Sequence, residues 1–501
     1  MTTRSGWPII YNEEVGFDHY SIEKWLRHLD EENFTPEDLA GKYYLPLQTV
    51  IHAVCCRYFD VGDVAKAEKL AKKYLLIIPD PILHNLYLRC LLASPTTTKE
   101  KFREESSTWR ELYANTMIAL QDKDFAHFDT DPDKKITVGV LCGYAYTSLF
   151  DVAFTPLFDA IDKEKFSLVL FNIGSISDYE QHADFDRCID MPVYSTDYLI
   201  QAIRDNKIDI VIDLNGRFRL DNPIDVLLKR VAPVQISYGN MLATYALDTI
   251  RYIMTDSYTL PPSDEKYYTE KVYRFENNVM GTFKLPDTPI TKLPYLTEKN
   301  VKPNKQFVFA SFNACFKLND LVLDTWGRIL QAVPNSHLFL KAGGIGSQRV
   351  QQRLVKMMKK YDLDSRITIE DATPMSDMLN KYSTVDLALN TFPYSGGTTT
   401  VYALWNGVPS VTLERDHLIQ SGGGEGVLKE VGLNAFVANS VEQYINKAVY
   451  FATHPEKLAE IRKNMRKRLA KSARFNPQMF AKDFEKGLRF IWQDWVKNAD
   501  F

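Results

Sequence analysis

The stretch Asp386-Leu-Ala-Leu-Asn-Thr-Phe-Pro-Tyr-Ser-Gly-Gly-Thr-Thr-Thr-Val-Tyr-Ala-Leu-Trp-Asn-Gly-Val-Pro-Ser-Val-Thr-Leu413 decides the reading of this chain. It reads as a strand, a Pro/Gly turn and a helix from near Thr398 to Asn406-Gly407, followed by a second β-rich run ending at Leu413. Helix N-termini present unpaired N–H groups and a partial positive charge, so Gly397, Thr398, Thr399 and Thr400 form a candidate phosphate cradle. Threonines are also ordinary helix caps. What favours an anion is their place, at the carboxyl end of a strand, where open α/β sheets put their ligands.

Working outward, strand expectations at 307–311, 337–341, 367–369, 387–390 and 410–413 alternate with helical stretches, and 137–141, 167–172, 209–214 and 234–238 do the same upstream. Short strands separated by helices imply βαβ units and parallel sheets. The run 285–305 holds Pro286, Pro289, Pro294 and Pro303 and reads as a linker between two α/β halves. The fold class is therefore α/β, with two Rossmann-like lobes around a cleft. In the second half, the strand 307–311 runs into a loop carrying Lys317. A lysine beyond a strand can neutralise a diphosphate leaving group without a metal, and beside the threonine helix it completes a diphosphate site.

Residues 1 to about 125 show helical periods and nothing that reads as alternating strand. The segment from Gly62 through Ala67 to Pro79 resembles one tetratricopeptide (TPR) unit, and a single such unit must lean on the rest of the chain. Helical runs at 441–473 and 477–497 cap the second lobe and return to the first. The division expected is 1–130 helical and TPR-like, 131–290 first lobe, 291–305 linker, 306–475 second lobe and 476–501 a C-terminal helix.

Sixty Lys and Arg against 64 Asp and Glu, a net charge of −4, and 45% hydrophobic residues describe a globular chain and not a basic nucleic-acid binder. Neither a signal-type h-region nor an apolar run of membrane-spanning length is present, and six scattered cysteines without CxxC spacing point away from zinc or a disulfide framework. The expectation is a reduced cytoplasm and no metal. Two glycine-rich lookalikes, Lys341-Ala-Gly-Gly-Ile-Gly346 and Ser421-Gly-Gly-Gly-Glu-Gly426, read as a turn and as a flexible, close-approach segment.

These residues also carry a resemblance. Phe312-Asn313 with Lys317, Trp326, Val333-Pro334-Asn335-Ser336, then 391–400 with Leu404-Trp405, resemble glycosyltransferase family 41, the group of protein O-GlcNAc transferases and SPINDLY-type enzymes. His84-Asn85-Leu86, Ser94-Pro95, Phe102 and Trp109 resemble the family's linker between repeats and catalytic region, and Asn215-Gly216 and 232–238 its first lobe. The resemblance implies a GT-B fold, a nucleotide-sugar donor held mostly by the second lobe, and metal-independent inverting transfer to a protein. It places the diphosphate lysine on Lys317 and the phosphate helix on Gly397, Thr398 and Thr399. Asn313 and Thr400 belong to the same strings, and His417 lies in a charged turn, Glu414 to His417, near the expected donor.

The sequence departs from the family elsewhere. The first-lobe histidine falls on Ser148, a glycine-proline-glycine loop is replaced by 240–244, the ribose carboxylate falls on Tyr402, and two base-flanking positions fall on Met375 and Met378. The reading is a glycosyltransferase that moves GlcNAc or a hexose from a UDP-linked donor to Ser, Thr or Asn of a protein. It needs no cofactor and leaves room for an oligomer. The alternative is a GT-B pseudoenzyme that partners a glycosylated surface protein or a companion transferase.

Overall fold

A computed structural model of the chain describes residues 2–3, 7–8, 19–32, 34–114, 119–145, 147–174, 184–191, 194–218, 222–239, 243–288, 290, 305–414 and 422–500. A two-residue antiparallel ladder, β1 (Thr2–Thr3) with β2 (Trp7–Pro8), departs from the strand-free expectation for the N-terminal region. Six helices follow: α1 (His19–Glu31), α2 (Pro36–Tyr43), α3 (Leu47–Asp60), α4 (Val64–Leu75), α5 (Pro81–Ala93) and α6 (Lys99–Trp109). Local chemistry starts them. Thr35 and Asp38 form a capping box on α2, and Asp80 accepts from the Ile82 and Leu83 N–H groups ahead of α5, whose first residue is Pro81. Leu86, Tyr87, Leu91 and Trp109 share one apolar cluster with Val211, Phe218 and Tyr245 of the next region, so the helices are built onto it.

The first lobe runs β3 (Ile136–Cys142), α7 (Ser148–Ala153), α8 (Thr155–Asp159), β4 (Phe166–Asn172), β5 (Arg187–Asp190), α9 (Thr196–Asp205), β6 (Ile210–Asp213), α10 (Ile224–Leu227), β7 (Val234–Ser237), β8 (Tyr252–Thr255) and β9 (Lys271–Arg274). Its parallel sheet has the order β5-β4-β3-β6-β7-β8-β9. The second lobe runs β10 (Phe307–Ser311), α11 (Asp320–Ala332), β11 (Ser336–Lys341), α12 (Gln348–Lys359), β12 (Ile367–Glu370), α13 (Met375–Lys381), β13 (Leu387–Leu389), α14 (Thr398–Trp405), β14 (Ser410–Leu413), α15 (Gly422–Glu430), β15 (Val437–Ala438), α16 (Val441–Thr453) and α17 (Pro455–Leu469). Its parallel order is β12-β11-β10-β13-β14-β15. Two doubly wound lobes of matching strand order make this a GT-B fold.

A last helix, α18 (Pro477–Asn498), crosses back to the first lobe. There Trp492 Nε1 donates to Asp131 O (3.0 Å), Trp495 Nε1 donates to Asp122 Oδ1 (3.0 Å), and Phe480 packs on Phe275. The segment just before it is pinned to the second lobe by Phe475, which stacks on Trp405 at 5.5 Å, while the Arg466 guanidinium lies 3.7 Å from the Trp405 ring centroid.

Two helical expectations change. The run 441–473 breaks at His454, because Pro455 has no N–H to continue α16 and instead starts α17. The glycine-rich stretch read as a flexible segment is helical in α15, where Val427 and Leu428 are buried. Among the described residues no helix is long and apolar enough to cross a membrane.

Candidate functional site

A cavity of about 260 Å³ opens between the lobes. Tyr144, Phe154, Tyr238 and Asp256 stand on its first-lobe side, and Lys317, Tyr394, Gly397, Thr398, Thr399 and Gly423 on the other. The position follows from topology: β10 and β13 are the neighbours at which strand order reverses, and the loops leaving their carboxyl ends meet there.

Lys317 ends the 3-10 turn after β10. The turn is locked by Asn319, which caps α11 by accepting from Val322 N (3.0 Å) and donates to Phe392 O (2.7 Å). Lys317 Nζ donates to Ser395 O (3.0 Å) and lies 4.3 Å from the Tyr394 ring centroid. Among the described residues no carboxylate forms an ion pair with it. Burial without a counter-charge pulls its pKa from 10.5 down to about 7. An anion entering the cavity supplies the missing charge.

The second element is α14. Gly397 precedes it without any side-chain cap, so its first N–H groups are left to whatever occupies the cavity. A side chain at Gly397 would meet nothing within 4 Å, whereas one at Gly396 would collide with Thr399 Oγ1 and Asn313 Oδ1. The start of α15 arrives beside it, with Gly424 N donating to Ser395 Oγ (3.0 Å). Two helix N-termini and one uncompensated ammonium therefore converge on one space.

Of the sequence candidates, Lys317, Gly397, Thr398 and Thr399 line the cavity, and Thr400, Asn313 and Tyr402 do not. Thr400 Oγ1 donates to Gly396 O (2.7 Å) and accepts from Asn390 Nδ2 (3.1 Å). Asn313 Oδ1 accepts from Thr399 Oγ1 (3.0 Å), and its Nδ2 donates to Ser311 Oγ (3.1 Å) and Asn390 Oδ1 (3.3 Å). Both side chains shape the turn from behind. Tyr402 is buried among the apolar side chains of the second lobe, and burial raises its phenol pKa. His417 lies outside the described residues. Ser148 is exposed at the start of α7, and Met375 and Met378 are half-buried on α13; none of the three lines the cavity. Of the replaced loop, 240–242 lie outside the described residues, and Thr244 donates to Glu270 Oε2 (2.8 Å), away from the cavity wall.

Sequence reading missed three residues. Asn390 is the hub of the turn: its Oδ1 accepts from Gly396 N (2.7 Å) and its Nδ2 donates to Thr412 Oγ1 (3.1 Å). An asparagine closing an apolar strand was its only signal. Asp256 is the one carboxylate in the cavity wall among the described residues. It accepts from Thr259 N (2.6 Å) and Thr259 Oγ1 (3.0 Å), and burial raises its pKa above the carboxylate norm despite these bonds and nearby Arg474. Arg474, also in the wall, pairs through Nε with Glu430 (2.7 Å). Nothing local in the sequence singles out either group.

Comparisons with known proteins bear on the fold and the family. Residues 287–484 match "Glycosyl transferase family 41". The chain is 29% identical over 378 residues to a probable UDP-N-acetylglucosamine–peptide N-acetylglucosaminyltransferase SPINDLY of Petunia hybrida, covering 72% of this chain and 39% of that protein. A namesake from Solanum lycopersicum is 31% identical over 299 residues, 58% of this chain and 31% of its own length. The chain thus spans about two fifths or less of these relatives. Among solved structures, a lysine-to-methionine mutant of the Thermobaculum terrenum O-GlcNAc transferase superposes with a TM-score of 0.79 at 25% identity, covering 90% of this chain and 85% of that one.

Proposed function

We propose that this chain, whose residues 287–484 match the family 41 glycosyltransferases, is a divergent member of that family and transfers a sugar from a nucleotide-sugar to a protein side chain. The observation that carries this is Lys317, a half-buried, desolvated ammonium without a counter-charge at the meeting of two helix N-termini. A UDP-linked donor fits the names of the relatives, and GlcNAc or a hexose fits the aromatic first-lobe wall.

In this mechanism the diphosphate lies against Lys317 and the Thr398 and Thr399 N–H groups. The acceptor oxygen attacks the anomeric carbon from the opposite side, the carbon–oxygen bond to the diphosphate breaks with its electron pair, and configuration inverts. Lys317 and the helix termini stabilise the charge that builds on the leaving group, and this chain's own cations serve where a metal could otherwise do so. Asp256, with its raised pKa, takes the acceptor proton and passes it to solvent. The helical region presents the acceptor, and cysteines that form no disulfide among the described residues suit a reducing cytoplasm.

Thermal-shift titration with UDP, GDP and their sugars, then donor hydrolysis and transfer followed by mass spectrometry, tests the reading. The expected result is stabilisation by one nucleotide class that Lys317→Ala removes. No shift with any nucleotide, in wild type or variant, overturns it. A second reading, a nucleotide-binding shell without turnover, draws on one observation: no histidine is found in the cavity wall among the described residues. Binding without hydrolysis or transfer would favour it.

A further inference from the structure

Lys317 is not held by its own lobe alone. The residue before it, Phe316, stacks on Phe59 of α3 with ring centroids 4.8 Å apart. Arg89 of α5 places its guanidinium 4.2 Å from the Phe59 centroid and 6.0 Å from that of Phe316. Phe316 also meets Tyr394 edge-on at 5.3 Å, and Tyr394 is the ring against which the Lys317 ammonium rests. A chain of rings therefore runs from the N-terminal helices to the cavity lysine.

The backbone is pinned at the same junction. Arg353 of α12 donates from Nη1 to Gly62 O (2.8 Å) and from Nη2 to Leu318 O (2.9 Å), tying the α3–α4 turn to the Lys317 loop. Arg349 pairs with Asp63 (2.7 Å) and Asp30 (2.5 Å). Gly62 has φ +86°, and a Cβ there would come 2.6 Å from the Cys315 carbonyl oxygen, so only glycine allows the turn to sit this close. None of these contacts passes through the first lobe.

We propose that the α3–α4 turn is a positioning element of the donor site, in which Phe59, Arg89 and Gly62 set the place of Lys317 through Phe316 and the 315–318 backbone. This rests on the donor-site reading above. The titratable groups packed around the loop are Tyr394 and Cys315, each pushed up to about 12 by burial, with Arg89 and Arg353 as neighbouring cations. The carboxylates of the junction, Asp30, Asp60 and Asp63, pair with Arg349 and Arg89 and leave Lys317 uncompensated.

The test uses the full chain and calorimetric titration with UDP and GDP from pH 6 to 9. Phe59→Leu, which keeps bulk but loses the ring, and Arg89→Met are each expected to weaken nucleotide binding by about 3- to 10-fold. The pH at which affinity falls moves upward, because a loosened loop returns Lys317 to water. Phe59→Tyr restores both, and in a Lys317→Met background neither variant has a further effect. Unchanged affinity in both variants, or an equal loss with and without Lys317, overturns the coupling. If Lys317→Met binds nucleotide as wild type does, the donor-site reading itself falls and the coupling falls with it.

Discussion

The two lobes share strand order, yet among the described residues the polar groups at the central strand ends bond inward in one and face a cavity in the other. In the first lobe the ends of β3 and β6 lead into a buried polar network. Asn215 Oδ1 accepts from Gly143 N (2.6 Å), its Nδ2 donates to Asp213 Oδ1 (2.9 Å), and Asn222 and Tyr245 both donate to Asp213 Oδ2. Asp213 is fully buried within it. In the second lobe the corresponding ends of β10 and β13 lead to Asn313 and Asn390, whose bonds shape a turn but leave the α14 N-terminus and Lys317 Nζ facing a cavity. The topology offers two crevices; the balance of donors and acceptors decides which one takes a ligand.

The strongest challenge to that contrast targets the proton acceptor. Asp256→Asn is expected to lower transfer by about 100-fold or more with donor affinity unchanged, measured as kcat against KM. Next, Lys317→Met should weaken binding of a UDP-sugar by about 10- to 100-fold, the range for a lost charge-assisted hydrogen bond. The same variant should be more stable. In the folded chain Lys317 loses its proton near pH 7, in the unfolded chain near 10.5, so the unfolded state holds more protons between those values. Stability then climbs with pH across that window, and the penalty is fully present below it. Melting curves should show Lys317→Met gaining a few degrees at pH 6 and less as the pH rises.

Smaller effects sharpen the comparison. Asn390→Ala and Asn215→Ala should each cost about 2 kcal/mol in denaturant unfolding, since each orphans several buried partners. Only the first should also reduce nucleotide affinity; equal losses would mean that the lobes are not divided as described. Last, titration of a UDP-sugar in buffers of different ionisation enthalpy should show uptake approaching one proton at pH 8 and little at pH 6, because the ligand restores charge to Lys317.

The interior strands, except β8, which is as buried as the others yet was missed, were legible because they are apolar on both faces, as a covered parallel sheet requires. The edge strands β5 and β9 were not: half-exposed, they lack an unbroken apolar run. The break between α16 and α17 follows from Pro455, a local rule that the helical periodicity on either side obscured. In the site, Lys317 and the Gly397–Thr399 turn were readable because strand, turn and helix lie within one short stretch. Asn313 and Thr400 belong to the same strings, but their hydroxyl and amide groups bond backward into the lobe.

By itself the sequence determined two parallel α/β lobes, a helical leader, and an anion-binding turn with a lysine near it, because each depends on residue types at short spacing. The tertiary structure alone decided that Asp256 and Arg474 join that turn in one cavity, and that Phe59 stacks on Phe316 of the lysine loop, far away along the chain. Such neighbours are set by how sheets stack and chains cross back, and no local pattern encodes them. Lys317 shows the division most clearly: its type and place were written in the chain, while its depressed pKa arises only from the packing that desolvates it without a counter-charge.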